Sequence, residues 1–183
     1  MTIFAIIGEA GTGKDYFLRK VVDTYPQLFH EIISCTTRPP REGEIHGKNY
    51  YFLKEKDFIQ KINNHSMLEY TSFREWYYGT SLDSLSQDKI NIGVFNPAGI
   101  YNLLQHHQDI NLKVFRLKVT NKERIKRQLN REENPNIHEI CRRFLTDEED
   151  FRNLQFNYEV LMNEQLDDLF YNASYLADLA KIC

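Results

Sequence analysis

The chain has 183 residues, 42% of them hydrophobic and 13% aromatic, enough to bury a real core as one domain. A formal net charge of −3 gives no global pull on a polyanion, which argues against nucleic acid or an anionic membrane as the main partner and makes any anion site local. Cys35, Cys141 and Cys183 are odd in number and lack a C-x-x-C pair, which argues against a disulfide framework and against zinc.

In chain order, Ile3 to Ile7 form a short apolar run that reads as a buried strand. The run is too short to cross a membrane and lacks the basic leader of an export signal, so a cytoplasmic protein is expected. GEAGTGKD follows at residues 8–15, and DYFLRKVVDTY then sets Phe17, Leu18, Val21 and Val22 at helical spacing until Pro26. From Glu31 to Leu82 the texture changes. EIISCTT, NYYFL and MLEYTSF read as short strands and EKDFIQKI as a short helix, together an insertion outside the main sheet. INIGVF and LKVFRLKV read as buried parallel strands joined by a crossover helix from about Pro97 to His107. Residues 121–156 are helical and highly charged, interrupted at NREENPNIHE, where Pro135 marks a candidate mobile lid. EVLMN and a helix from Glu164 close the chain. The reading is one α/β domain: a phosphate-loop parallel sheet flanked by helices (core 1–30, 84–130 and 157–183), an insertion at 31–83 and a small helical lid at about 131–156.

The glycine loop carries the first chemistry. Gly8, Gly11 and Gly13 permit the positive φ angles that turn backbone N–H groups inward, and the next helix adds the positive end of its dipole, so the loop cradles phosphate largely by backbone. Lys14 adds a compact charge for the β and γ oxygens. The whole loop, Gly8, Glu9, Ala10, Gly11, Thr12, Gly13, Lys14 and Asp15, is the expected ATP contact. Asp15 stands where a hydroxyl ligand of magnesium is usual. Its carboxylate is either a hard oxygen ligand for Mg2+ or simply a favourable first-turn acid. Further on, Arg38 and Arg41, three apart around a Pro-Pro break with Tyr50 nearby, make a candidate monophosphate clamp; the alternative is an exposed basic loop.

GEAGTGK, SCTTRPPREGEIHGKNYYF, MLEY, WYYGTS and NYEVLMN, in this order and with NREENPNIHEICRRF between the last two, resemble guanylate kinases over most of the chain. The resemblance implies a parallel-sheet core, a nucleoside-monophosphate-binding insertion and a lid, and transfer of the γ-phosphoryl of ATP to GMP or dGMP with Mg2+. Small nucleotides would be the partners of a monomer or homodimer. Carried over, the pattern makes Arg38, Arg41, Tyr50 and Tyr78 contacts of the acceptor phosphate, places Ser34, Glu69, Thr80 and Asn96 at the base, and adds Asn163 to the ATP contacts. A Glu carboxylate accepts the N1–H and N2–H of guanine together, whereas adenine would turn a lone pair toward it. In the lid, Arg131 and Arg143 match the family's phosphate-contacting arginines, with Arg142 as a substitute, so Lys14, Arg38, Arg131 and Arg143 are the expected catalytic groups. Lys122, Arg124 and Lys126 read as a solvated helix face.

The chain departs from the family where two strand-end aspartates are usual: GVFNPAG offers Val94 and Asn96 instead. Together with Asp15 this suggests a carboxylate moved from the strand end into the phosphate loop. The loop ending in GKD also resembles ribose 1,5-bisphosphate phosphokinases and some phage deoxynucleoside monophosphate kinases. A catalytically silent, phosphoprotein-binding module of the same fold is a third reading, weighed against by Lys14.

Overall fold

The computed structural model describes every residue except Glu42, Arg74 and Glu132, and Phe73 by its backbone alone. Strand β1 (Thr2–Ile7) is buried from Ile3 to Ile7 on both faces, as a strand must be when helices cover both sides of a parallel sheet. The glycine loop turns it into α1 (Lys14–Thr24), and β2 (Phe29–Glu31) returns to the same sheet. A peripheral unit follows: β3 (Cys35–Thr36), β4 (Tyr51–Phe52), α2 (Glu55–Asn63), β5 (Met67–Phe73) and β6 (Trp76–Ser81). The chain then re-enters the sheet with β7 (Ile90–Val94), crosses over through α3 (Pro97–His106) to β8 (Asn111–Lys118), and runs through α4 (Asn121–Leu129) and α5 (Ile137–Asp150) to β9 (Glu159–Met162) and α6 (Leu166–Ala180).

The main sheet has the order β2-β7-β1-β8-β9 with every pairing parallel, so β1 sits at its centre and the loop after it opens at the sheet's C-terminal edge. Alternation along β1 divides the core. Phe4 and Ile6 pack with Phe17 and Val21 of α1 and Leu176 of α6, while Ile3, Ala5 and Ile7 pack with Ile100 and Leu103 of α3. The second sheet has the order β4-β3-β6-β5, and α2 closes one face of it by stacking Phe58 on Tyr77 at 5.4 Å. Among the described residues no helix is long and apolar enough to cross a membrane.

Two boundaries differ from expectation. WYYGTS is a strand, β6, paired antiparallel with β5, so the stretch read only as a motif supplies half of a hairpin. The main sheet also reaches past residue 30: Glu31 pairs with Ile92, and the Ile32 N–H donates to the Ile92 carbonyl at 2.8 Å. The helical stretch 121–156 divides into α4 and α5 around Pro135, and α5, in the lid, has no buried residue along its length.

Candidate active site

Gly11 and Gly13 hold left-handed backbone at φ 86° and 88°, and Gly13 is the N-cap of α1. A Cβ on Gly11 would stand 2.7 Å from the Arg124 carbonyl oxygen, so the loop lies directly on α4. The Lys14 Nζ donates to the Glu9 carbonyl at 3.0 Å, and burial pulls its pKa below the ordinary lysine value. Asp15 is exposed on the first turn of α1, and its charge is felt at both Lys14 and Tyr50. Asn163 lies beneath the loop, its buried amide donating to the Thr12 carbonyl at 2.8 Å. It therefore supports the loop's backbone from below.

The loop is tied down by groups whose importance was not visible in the sequence. Arg127 donates to the Thr12 carbonyl at 3.3 Å and to the Asn163 carbonyl at 3.0 Å. Arg116 of β8 pairs with Glu9 and lies over the rings of Phe151 and Tyr158. Asp147 of α5 accepts from the Ala10 N–H at 2.8 Å and pairs with Arg124. Arg124 is thus no solvated helix residue: it is only 4% exposed, correcting its reading as part of a wet face, whereas Lys122 and Lys126 are exposed. Its burial follows from the approach of α5, which no local spacing announces.

Across the cleft, Arg38 is 5% exposed and forks onto Glu44 with both N···O distances 3.0 Å. The same carboxylate accepts from the Arg41 backbone N–H at 2.7 Å, so Glu44 fixes the Arg38 guanidinium and the Arg41 backbone. Burial, and then the charge of Asp15, push Tyr50 up to about 12, so its hydroxyl stays a donor; its ring meets Tyr78 edge-on at 6.2 Å. Lys14, Asp15, Ser34, Arg38, Arg41, Tyr50, Tyr78, Arg131 and Arg143 line one cleft of 680 Å³.

An adjoining pocket of 320 Å³ is lined by Ser34, Glu69, Thr71, Tyr78 and Asn96. Glu69 is 6% exposed and accepts from the Thr80 hydroxyl at 2.8 Å, while burial raises its pKa to about 7. Asn96 caps α3: its side-chain oxygen accepts from the Gly99 N–H at 2.7 Å, and its amide nitrogen turns to the Thr71 hydroxyl at 3.4 Å. The oxygen of Asn96, a residue expected at the base, is therefore already engaged by the helix. Gly99 brings these groups together, since a Cβ there would meet Glu69 at 3.0 Å and Asn96 at 3.2 Å.

In the lid, Arg142 and Arg143 both pair with Glu139, at 2.7 and 3.0 Å, which holds that carboxyl down at about 2. Arg143 faces both cavities, and Arg131 faces the larger. Among the described residues no three His, Cys, Asp or Glu side chains gather around a possible metal position.

The family profile described as "Guanylate kinase" matches residues 1–177. A guanylate kinase of Prochlorococcus marinus is 40% identical over half of the chain, and the aligned part spans 48% of that relative's length, so with such relatives the match covers about half of the protein. The guanylate kinase of Campylobacter jejuni strain RM1221 is 28% identical over 90% of this chain and 82% of its own. The crystal structure of guanylate kinase from Anaplasma phagocytophilum superposes with a TM-score of 0.65 at 17% identity, over 99% of this chain and 85% of that one, which establishes the fold. These relatives lend no support to a sugar-phosphate kinase or a silent scaffold module. With the profile matching nearly the whole chain and the fold shared, this chain belongs to the guanylate kinase family.

Proposed function

We propose that the protein transfers the γ-phosphoryl group of ATP to GMP or dGMP, giving ADP and the guanosine diphosphate, in the cytoplasm. The observation that carries this reading is that Lys14, on the phosphate loop, and the Arg38–Arg41 pair line one cleft, with buried Glu69 lining the adjoining pocket. The loop backbone from Gly8 to Gly13, with Lys14, takes the donor phosphates. Arg38, Arg41, Tyr50 and Tyr78 take the acceptor phosphate, each offering donors and no competing negative charge. Ser34 and Glu69 meet the base; Thr80, expected there too, is fully buried and instead holds the Glu69 carboxylate through its hydroxyl. A carboxylate at Glu69 accepts paired N–H donors from guanine, and a base lacking them leaves a buried acceptor unsatisfied, a difference worth about 10⁴ in selectivity. Arg131 and Arg143 stabilise charge on the moving phosphoryl group, and positioning supplies the rest. The insertion and the lid at about 131–156 close over the cleft and exclude water.

The cleft fits a magnesium ion held chiefly by the nucleotide, because beside the loop it offers the exposed carboxylate of Asp15, with half-buried Glu31 in the same lining, and an apolar Val94 at the end of β7. Asp15 would hold the ion, which would offset the charge of the polyphosphate. A coupled assay of ADP release, with GMP, dGMP, IMP, AMP, dTMP, dCMP and ribose 1,5-bisphosphate offered separately, tests the proposal. Turnover confined to guanine nucleotides supports it, and turnover with other acceptors only, or with none, refutes it.

A further inference from the structure

The lid helix α5 has no buried residue, so apolar packing along its length does not fix where it lies. Polar ties do. One Asp147 oxygen accepts both from the Ala10 N–H, at 2.8 Å, and from the Arg124 guanidinium, and Arg124 returns a bond from its Nε to the Ala10 carbonyl at 3.0 Å. Arg124 also lies over the Phe144 ring at 4.1 Å, so one buried guanidinium grips α5 through a charge and a ring and grips the phosphate loop through its backbone. At the helix's C-cap Phe151 packs under Arg116, the partner of Glu9. Successive loop residues, Glu9 and Ala10, are therefore each connected to α5 one turn apart. One turn before Asp147, at spacing i,i+4, stands Arg143, which faces both cavities and pairs only with its own helix's Glu139 among the ion pairs seen.

From this geometry we infer that Asp147, with Arg124, is a positioning pair: it docks the lid helix on the phosphate loop in the register that carries Arg143 over the path of phosphoryl transfer. The inference rests on the proposed kinase reading. Asp147 touches the loop backbone and acts on the reaction through Arg143. Because α5 adds nothing to the apolar core apart from Phe151 at its end, releasing Asp147 loosens the helix and leaves that core packed, at the cost of stranding the Arg124 charge. A misplacement of about 1 Å at a group that stabilises the transition state is enough to lower turnover about a hundredfold.

The test is a double-mutant cycle on the full chain, with kcat and both KM values measured for Asp147→Ala, Asp147→Asn, Arg143→Ala and the double variant Asp147→Ala/Arg143→Ala, alongside melting temperatures. Asp147→Ala should lower kcat tenfold or more with both KM values within about threefold when assayed well below its melting temperature, which should fall because Arg124 is left buried without its charge partner. Asp147→Asn, whose amide oxygen still accepts from Ala10, should recover most of the loss. In the Arg143→Ala background Asp147→Ala should cost almost nothing further. Full multiplication of the two losses, an unchanged kcat, or a loss confined to the KM for ATP would each overturn the inference, the last by assigning Asp147 to the charge of Lys14. Absence of turnover in the unmodified protein with every acceptor would instead refute the kinase reading beneath it.

Discussion

Replacing Glu69 by Gln should make the protein more stable and a worse GMP kinase, with the two effects separable by pH. Burial raises this carboxyl from its ordinary 4.5 to about 7, so above pH 7 the folded protein carries a buried charge at a cost of about 3 kcal/mol. The cost is absent below pH 4.5, grows as pH rises to 7, and is full beyond it, because the folded state holds the proton that the unfolded state has released. The amide avoids the charge and keeps an oxygen for the Thr80 hydroxyl, but its own desolvation returns about 1 kcal/mol. Urea unfolding should therefore show Glu69→Gln more stable by about 2 kcal/mol at pH 8 and nearly equal to the unmodified protein at pH 5. For catalysis, the change removes one charge-assisted bond to guanine, about 1.5–3 kcal/mol, and turns a donor against a donor, about 1–3 kcal/mol more. The kcat/KM for GMP should fall roughly 10²- to 10⁴-fold, while that for AMP, whose N1 lone pair now meets an N–H, should not fall. The unmodified protein should lose kcat/KM for GMP about tenfold per pH unit below pH 7, and the variant should not. An equal stability gain at both pH values, or equal losses on GMP and AMP, would refute the assignment of Glu69 as a buried carboxylate that reads the base.

Glu44→Gln leaves buried Arg38 facing a neutral partner and should destabilise the protein by about 1.5–3 kcal/mol; saturating GMP should raise the melting temperature more in the variant than in the unmodified protein, because the phosphate dianion supplies the missing charge. Gly11→Ala puts a Cβ 2.7 Å from the Arg124 carbonyl at a φ of 86°, which should cost about 2 kcal/mol or more and abolish ATP binding by calorimetry. Asp15→Ala should raise the magnesium concentration for half-maximal turnover about tenfold; an unchanged metal requirement would leave Asp15 as a first-turn acid of α1.

What the sequence disclosed and what it hid divide along local and non-local physics. The apolar run of β1, the glycine spacing of the loop and the crossover into β8 are short-range signals, and each lies where its pattern places it. Strand β6 escaped notice because its central Gly79 reads as a turn. That residue in fact allows close pairing, since a Cβ there would run into the Glu69 carbonyl on β5. The cap role of Asn96 was legible in Asn-Pro-Ala-Gly, an N-cap before a proline at the first helical turn, but competed with the expectation that its oxygen faces a base. Arg124 and Asp147 are 23 residues apart and meet only because α5 folds back over the loop, so helical periodicity could not reveal either.

The arginines of the cleft fall into two kinds, and the difference bears on when each acts. Arg38 and Glu44 are 5% and 15% exposed, so separating them would strand a buried charge at a cost of about 3–5 kcal/mol. An arriving phosphate does better to use the donors that Glu44 leaves over, and the acceptor site is in this sense built before the nucleotide comes. Arg143 and Glu139 are 26% and 30% exposed and lie on one helix, where such a pair is worth only about 0.3–0.5 kcal/mol. A phosphoryl oxygen carrying growing negative charge outbids that carboxylate easily. The Arg38 half of the acceptor clamp is thus set before binding, while the lid arginine is held loosely until charge develops beside it, and what keeps it within reach is the attachment of its helix to the phosphate loop.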